Sequence, residues 1–397
     1  MIVTIISEYA NTNSGAGNVI QNIAAELIKQ SMPVYLVTND QLPYNPSGVK
    51  VYQFPYVRFE KIKNPLLKVK VLLSYFVYIF KIMINEGSDI ILTHGIYVLY
   101  LAKIVGVIFK IPVLATLHSY AYSCDLGNRI YKNRFCDNID EWKCSRCSGA
   151  LVNVRRMVSR RIFATLASGI ITLNNLEYSF FRKIVPNKTY LLSNGIDLNI
   201  FYPRVVEKLP NSIIFVGGFR TVKRLDILID AFVKVLRTIP DLRLSVVGDL
   251  NPVADSYLKV NLTDYVSRIK KKIEKNNIAD KIDFIGEVPK AKMPELYSKH
   301  SIFVSCSFTE VNPLAFLESL ACGVPVIGFI NPLNMDIVVS NPERLHEDII
   351  NNINIPLDQK IYDKIRKRYS MSTILKQYIH LFRSIIYRNS PGNFEDR

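Results

Sequence analysis

Short apolar runs alternate with helical patterns twice along this chain, and that alternation constrains the fold more tightly than any single motif. "IVTIIS", "VYLVT", "DIILTH", "VLATLH" and "GIITL" form the first series, with helical patterns such as "GNVIQNIAAELIKQ" between several of them. A second series runs "SIIFVGG", "RLSVVGD", "IDFIG", "SIFVSC" and "VPVIG". Strands this short and this apolar are buried on both faces, which calls for a parallel sheet covered by helices. The expected fold is therefore α/β, with two parallel-sheet domains that take ligands outside the carboxyl ends of their strands. The break falls near "YPRVVEKLPNS" (202–212), which has two prolines and no periodicity. The expected domains are 1–205, with a cysteine-rich insertion at about 119–149, then 206–370, then a terminal helix and polar tail over 371–397.

Composition excludes a disordered chain: 49% of residues are hydrophobic and 21% charged. The net charge of +16 is uneven, because residues 1–205 hold 23 basic and 12 acidic side chains, or +11 of the total. A basic half either favours an anionic partner, such as a phosphorylated lipid, a membrane surface, an acidic glycan or nucleic acid, or merely solvates the surface. In "LLKVKVLLSYFVYIFKIMI" (66–84), Lys68, Lys70 and Lys81 interrupt the apolar run, which argues against a spanning helix. Two readings remain: a core-facing helix, or an interfacial one whose lysines snorkel while Phe76, Tyr78 and Phe80 dip into lipid. "MIVTIISEY" lacks a basic n-region, so no signal peptide is expected and the location expected is the cytoplasm, with the inner membrane face as an alternative.

Glutamates Glu310 and Glu318 stand on either side of a predicted helix start in "TEVNPLAFLESLACGVPVIG" (309–328). Asn312 and Pro313 read as N-cap and first turn, Leu314, Leu317, Leu320 and Ala321 as the apolar face, and Gly323 as the left-handed stop. The start of such a helix favours phosphate. Carboxylates do not, so Glu310 and Glu318 suit hydroxyl groups flanking a phosphate, as the sugar and ribose of a nucleotide sugar do. "FVGGFRTVKRLDILIDAF" is a glycine-rich strand end followed by Arg220, Lys223 and Arg224, which suits either a diphosphate or a solvated basic loop. Gly15 and Gly17 in "NTNSGAGNVIQNIAAEL" let backbone approach a ligand or simply make a tight turn before a helix. With Ile20 where a third glycine belongs, this is not the dinucleotide fingerprint. His118 ends "VLATLH" and His94 ends "DIILTH", both at strand carboxyl ends, where a histidine is either structural or ligand-facing.

Four of the six cysteines, Cys124, Cys136, Cys144 and Cys147, fall within 24 residues. A structural zinc, reduced thiols and a redox pair at Cys144 and Cys147 all remain open. Cys306 and Cys322 read as small buried apolar residues.

Nearly the whole chain resembles the family 4 glycosyltransferases, enzymes with two Rossmann-like domains facing a central cleft, the GT-B arrangement. "SFTEVNPLAFLESLACGVPVIG" is similar to the family's paired-glutamate motif, "SNGIDLNIFYP" (193–203) to its interdomain segment, "SGAGNVIQNIAAEL" to its glycine loop and "YSMSTILKQYIHLF" to its closing helix, which usually packs back on the first domain. "LHSYAYSCDLGNRIYKNRFCDNIDEWKCSRC" is similar to a cysteine-rich insertion found in a subset of the family. The resemblance implies sugar transfer from a nucleotide-diphosphate sugar to a glycan or polyprenyl-linked acceptor, with retention of configuration and no cofactor required for catalysis. It implies that Glu318 accepts from the ribose, Glu310 contacts the donor sugar, Lys223 meets the diphosphate and His118 lies near the transferred sugar. Gly15 and Gly17 would close over the donor, while Val311 and Asn312 would offer backbone N–H groups to its phosphates. Asn194 and Gly218 belong to matching segments on the donor side. The family has arginine where this chain has Gly218, with Arg220 two residues on, and the stretch after "PVIG" is short and lacks glycine.

Two rival functions stand beside this one. Another GT-B enzyme, a nucleotide-sugar epimerase or a phosphorylase, fits the paired-glutamate helix poorly. A non-catalytic basic module for nucleic acid would need aromatic and basic residues interleaved on one surface, a texture present only weakly at "GNRIYKNRF" (127–135), so no nucleic-acid partner is expected.

Overall fold

The computed structural model describes residues 1–8, 10, 15–40, 42, 48–55, 62–131, 134–250, 262–332, 334–335 and 337–389. Strands β1 (Val3–Ser7), β2 (Val34–Thr38), β3 (Lys50–Gln53), β4 (Ile90–His94) and β5 (Val113–Leu117) come first. A two-stranded antiparallel hairpin follows, β6 (Ile130–Tyr131) with β7 (Arg134–Phe135), and then β8 (Gly169–Thr172) and β9 (Thr189–Leu191). Seven of these form one sheet in the order β3-β2-β1-β4-β5-β8-β9, parallel throughout. The second sheet holds β10 (Ser212–Val216), β11 (Arg243–Val247), β12 (Ile282–Gly286), β13 (Ile302–Ser305), β14 (Val326–Gly328) and β15 (Val338–Val339), again parallel, in the order β12-β11-β10-β13-β14-β15. Both orders run outward in both directions from a central strand, the doubly wound pattern expected from the two apolar series.

The chain divides into two compact units. One comprises 1–127, 138–195 and 371–397; the other comprises 128–137 and 196–370. The main division thus falls after Gly195, where the sequence suggests 205, and the segment 128–137, part of the insertion expected in the first domain, groups with the second unit. The helix Met371–Asn389 belongs to the first unit and packs against the helix Gly15–Lys29, burying Ile374, Tyr378 and Phe382. Gly195 permits that docking, since a Cβ there would lie 2.9 Å from Met371 Cα.

Nine of the ten apolar runs form interior strands covered on both faces, whereas β12 lies at the edge of the second sheet and is largely exposed, against the expectation of burial. Every residue of β1, β4 and β5 is buried. Helices Pro65–Glu86, Ile96–Ile108 and Ala150–Leu166 contribute Val71, Tyr75, Ile79, Val98, Ala102 and Phe163 to a core on one face of this sheet. Asn64 caps the first of these, its side chain accepting from the N–H groups of Leu66 and Leu67 ahead of Pro65 at the first helical position. Among the described residues no helix is long and apolar enough to cross a membrane.

Two local expectations are corrected and a third holds. The helix after β13 is Leu314–Ala321 and its N-cap is Pro313, with no side-chain cap bond; buried Asn312 lies one position outside it. Gly15 and Gly17 do not make a turn before a helix but form the first turn of the helix Gly15–Lys29, and residues 11–14, which precede it, lie outside the described residues. Gly323 does end its helix in the left-handed region, at φ +76°.

Candidate functional site

In the second unit, the chain leaves β10 through Gly217 and Gly218, whose N–H groups both donate to Val247 O at 2.8 and 2.9 Å. Gly218 has φ +56°, and a Cβ on it would stand 2.1 Å from Asp249 O, so this turn accepts no side chain at all at the position where the family carries arginine. Gly217 makes room of a different kind, because a Cβ there would meet Lys223 Cγ at 2.7 Å. The Lys223 stem therefore lies along the glycine turn. Its ammonium donates to Glu310 Oε1, closing an ion pair between the loop after β10 and the loop after β13.

The other two cations of this loop are used differently. Arg224 forks onto Asp226, with Nε 3.1 Å and Nη2 3.0 Å from the two carboxylate oxygens, and its guanidinium sits 5.0 Å from the Phe308 ring centre. Arg220 is exposed. Of three basic residues that look equivalent in sequence, one is paired to the expected glutamate, one is held by a local aspartate and one faces solvent. A cavity of about 380 Å³ opens beside the Arg224–Asp226 fork, lined also by Thr221, Tyr265 and Phe308. Lys223, Glu310 and Glu318 do not line this cavity.

Glu318 is half-buried on the helix Leu314–Ala321, and its Oε2 accepts from the Tyr297 hydroxyl at 3.0 Å. Burial raises its pKa, while Tyr297 and the charge of Lys290 pull the other way. Burial lowers Lys290 in turn, against the opposing charges of Glu318 and Asp197. The second carboxylate oxygen of Glu318 remains available to accept from hydroxyl groups. Lys290 and Tyr297 escape a reading of the sequence because neither lies in a motif; they reach Glu318 through the helix Met293–Lys299 and the turn before it. Val311 is half-buried and Asn312 buried, in the loop between Glu310 and the helix. Burial keeps Cys306 and Cys322 protonated, with the Cys322 pKa pushed up to about 12.

In the first unit, His94 Nδ1 and His118 Nε2 lie 2.7 Å apart at the carboxyl ends of β4 and β5. A bond this short needs one ring to donate its N–H and the other to accept. Burial lowers both pKa values, that of His118 to about 4 and that of His94 well below its ordinary value with His118 adding to the effect. Such a pair offers hydrogen bonds to hydroxyl groups but no positive charge at neutral pH. Glu8, buried just after β1, is a third member that no sequence motif selects; its N–H donates to His94 O at 3.4 Å. Gly95, at φ +136°, adjoins it: a Cβ there would touch the Glu8 carboxyl carbon at an ordinary 3.6 Å and crowd Val98 Cγ2 at 3.2 Å. Gly15 is exposed and Gly17 buried at the helix start. Asn194 is buried beside the Gly195–Met371 contact, in the first unit, so it does not fall in the unit that holds Lys223, Glu310 and Glu318.

The cysteine-rich insertion is organised around charge. Asp125 is 7% exposed and accepts from Arg160 Nη2, from Ser148 Oγ at 2.6 Å and from Asn153 Nδ2 at 2.9 Å. Asn153 also donates to Glu141 O, Arg160 Nε to Tyr122 O at 2.9 Å, and Arg161 pairs with Glu141 at 3.0 Å. This network ties the insertion to the helix Ala150–Leu166. Cys124, Cys136, Cys144 and Cys147 are half-buried and form no disulfide. Cys136 groups with the second unit and the other three with the first. Among the described residues no group of three or more His, Cys, Asp or Glu side chains is placed to hold a metal ion.

Comparisons with known proteins cover both units. The family model for glycosyl transferases group 1 matches residues 202–367, and that for glycosyltransferase family 4 matches residues 13–200. A probable sucrose-phosphate synthase of Thermosipho melanesiensis is 25% identical over 95% of this chain and 89% of its own length. A phosphatidylinositol N-acetylglucosaminyltransferase subunit of Arabidopsis thaliana is 25% identical over 48% of this chain, and the match spans only 43% of that protein. The sucrose-phosphate synthase of Thermosynechococcus elongatus has the same fold, with a TM-score of 0.74 at 17% identity over 98% of this chain and 100% of its own. Anabaena HepE, solved in complex with UDP-glucose, gives 0.67 at 15% identity over 97% of this chain and 100% of its own. With a doubly wound sheet in each unit and the two models covering nearly the whole chain, this protein belongs to the GT-B glycosyltransferases of the group 1/family 4 type.

Proposed function

We propose that the chain transfers a hexose from a nucleoside diphosphate sugar to a hydroxyl group of a glycan or lipid-linked acceptor, with retention of configuration. The observation that carries this reading is the Lys223–Glu310 pair seated on the Gly217–Gly218 turn at the carboxyl end of β10, where a doubly wound sheet takes its ligand. As the bond from the anomeric carbon to the diphosphate breaks, negative charge builds on the leaving oxygen. An ammonium already in place there lowers the barrier without reorganisation. Glu310 holds Lys223 in position in the absence of donor and is freed to contact the sugar once the diphosphate takes the lysine. Arg220, exposed on the same loop, adds a second charge. Glu318 accepts from the ribose hydroxyls with the oxygen that Tyr297 leaves available.

Donor grip and nucleophilic attack are separate roles, and neither glutamate is the nucleophile in this reading. The acceptor oxygen bonds to the anomeric carbon on the face that the diphosphate leaves, and a diphosphate oxygen takes the acceptor proton. The neutral His94–His118 pair orients sugar hydroxyls by hydrogen bonding. The relative solved with UDP-glucose supports a uridine nucleotide as the first donor to try. A thermal-shift panel of nucleoside diphosphates tests the reading, because a ligand that binds only the folded state raises the melting temperature. One diphosphate is expected to stabilise the wild type and to lose most of its effect in Glu318→Ala. A panel in which no nucleotide shifts the wild type would sink the proposal.

A further inference from the structure

The helices Pro65–Glu86, Ile96–Ile108 and Ala150–Leu166 lie side by side on one face of the first sheet, the first and third each packing against the second. Helices that cover a sheet normally turn polar residues outward. These three do not. Of the twenty-four large hydrophobic residues exposed among the described residues, fourteen stand on them. On the first helix Leu66, Leu73, Val77 and Ile84 fall on one outward line, with Leu66 81% and Leu73 62% exposed. Val107 and Ile108 extend the patch at the end of the second helix. Leu151, Val158 and Ile162 form a further outward line on the third, Leu151 at 85% exposure.

The charge on this face is of one sign. The three helices carry eight Lys and Arg residues and a single acid, Glu86, which is paired with Lys50. Lys70 and Lys81 flank the line on the first helix and Arg155 that on the third, all three exposed, while Arg161 beside them is held by Glu141. At about 1.5 Å rise per residue the line from Leu66 to Ile84 is a ridge about 27 Å long. Apolar ridges edged by cations and lying across several helices match an interface in which acyl chains meet anionic headgroups. A protein partner would need a large apolar face rimmed with acids. A second copy would bring the same cations against themselves.

We propose that this three-helix face docks the first unit on an anionic membrane surface, with the apolar lines entering the headgroup boundary and the flanking Lys and Arg residues pairing with lipid phosphates. The proposal goes beyond sugar transfer and is tested without donor or acceptor, so either can fail alone. Flotation with vesicles of phosphatidylcholine, with and without phosphatidylglycerol, reads it directly. The full chain is expected to float with the anionic vesicles and to stay behind with the zwitterionic ones. The double variant Leu73→Ser, Val77→Ser is expected to lose vesicle affinity by about tenfold or more, and so is Leu151→Ser, Val158→Ser. All four side chains are exposed, so the melting temperature and its response to nucleotide serve as controls for the fold. Failure of the wild type to float, or flotation unchanged in both double variants, overturns the proposal. A dimer in solution that the same variants dissolve also overturns it, by showing that a second copy covers the face.

Discussion

At the carboxyl ends of β1, β4 and β5 the first unit gathers a buried carboxyl and two neutral imidazoles, whereas at the ends of β10 and β13 the second presents an ammonium held by a carboxylate. The sheets beneath are built alike, parallel and doubly wound. What differs is desolvation. His94 is 1% exposed and sheds its charge, while Lys223 keeps 25% of its side chain in solvent and gains a counter-ion. A fold that repeats its architecture can thus offer one end suited to uncharged hydroxyl groups and another suited to a diphosphate.

The comparison can be broken most directly at the ammonium. Lys223→Ala is expected to lower kcat/KM by about 10²- to 10³-fold, as removal of a preorganised charge at a leaving group does, with little change in thermal stability. Steady-state kinetics beside a melting curve check both parts, and equal losses in rate and stability would recast Lys223 as a structural residue. In the first unit the corresponding dependence on charge is structural. Asp125→Ala leaves Arg160 buried without its main partner and is expected to cost about 3 kcal/mol or more of unfolding free energy. Denaturant titration measures this, and Cys144→Ser with Cys147→Ser, which leaves the ion cluster intact, is expected to cost little by the same assay. A stability loss in the cysteine variant that chelators reproduce in the wild type would restore zinc as the organiser of the insertion.

Gly218→Arg introduces the family residue into a turn that lacks room for it. A Cβ 2.1 Å from Asp249 O, at φ +56°, must displace backbone, and a loss of about 2 kcal/mol with no gain in nucleotide affinity is expected. Tighter nucleotide binding in that variant would show that the loop rearranges freely. The smallest effect concerns the imidazoles. Because folding lowers the pKa of His118 from 6.5 to about 4, the unfolded chain takes up the proton first as the solution is acidified. Stability is therefore level above about pH 6.5 and declines between there and about pH 4, by about 1 kcal/mol or more for this group. His118→Asn should flatten part of that slope, and an unchanged slope would place the proton uptake elsewhere.

Much of the fold is legible in the amino-acid order. All ten apolar runs became strands; nine lie inside their sheets, where a continuous β-branched segment buries both faces, and the tenth, β12, lies at an edge and is largely exposed. The strands that escaped were β3, β9 and β15, which read "KVYQ", "TYL" and "VV" and lie at sheet edges, and the two-residue strands β6 and β7. An edge strand is half exposed, so its residues need not form an apolar run. Lys223, Glu310 and Glu318 in the second unit, and His118 in the first, could be singled out from the sequence because each occupies a motif or a strand end. Glu8, Lys290 and Tyr297 were not, since each reaches its partner only through the packing of elements distant in sequence.

The amino-acid sequence by itself determined the two parallel sheets, the helix after Pro313 with its glycine stop, and the excess of positive charge in the first half, because hydrophobic period, backbone restriction and formal charge are local properties. Only the tertiary structure decided which of Arg220, Lys223 and Arg224 meets Glu310, that Asp125 and Arg160 organise the insertion, and that the histidines are neutral. Those outcomes depend on which groups are brought within about 3 Å of one another and on how far water is excluded from them, and both are set by packing between residues far apart in the chain.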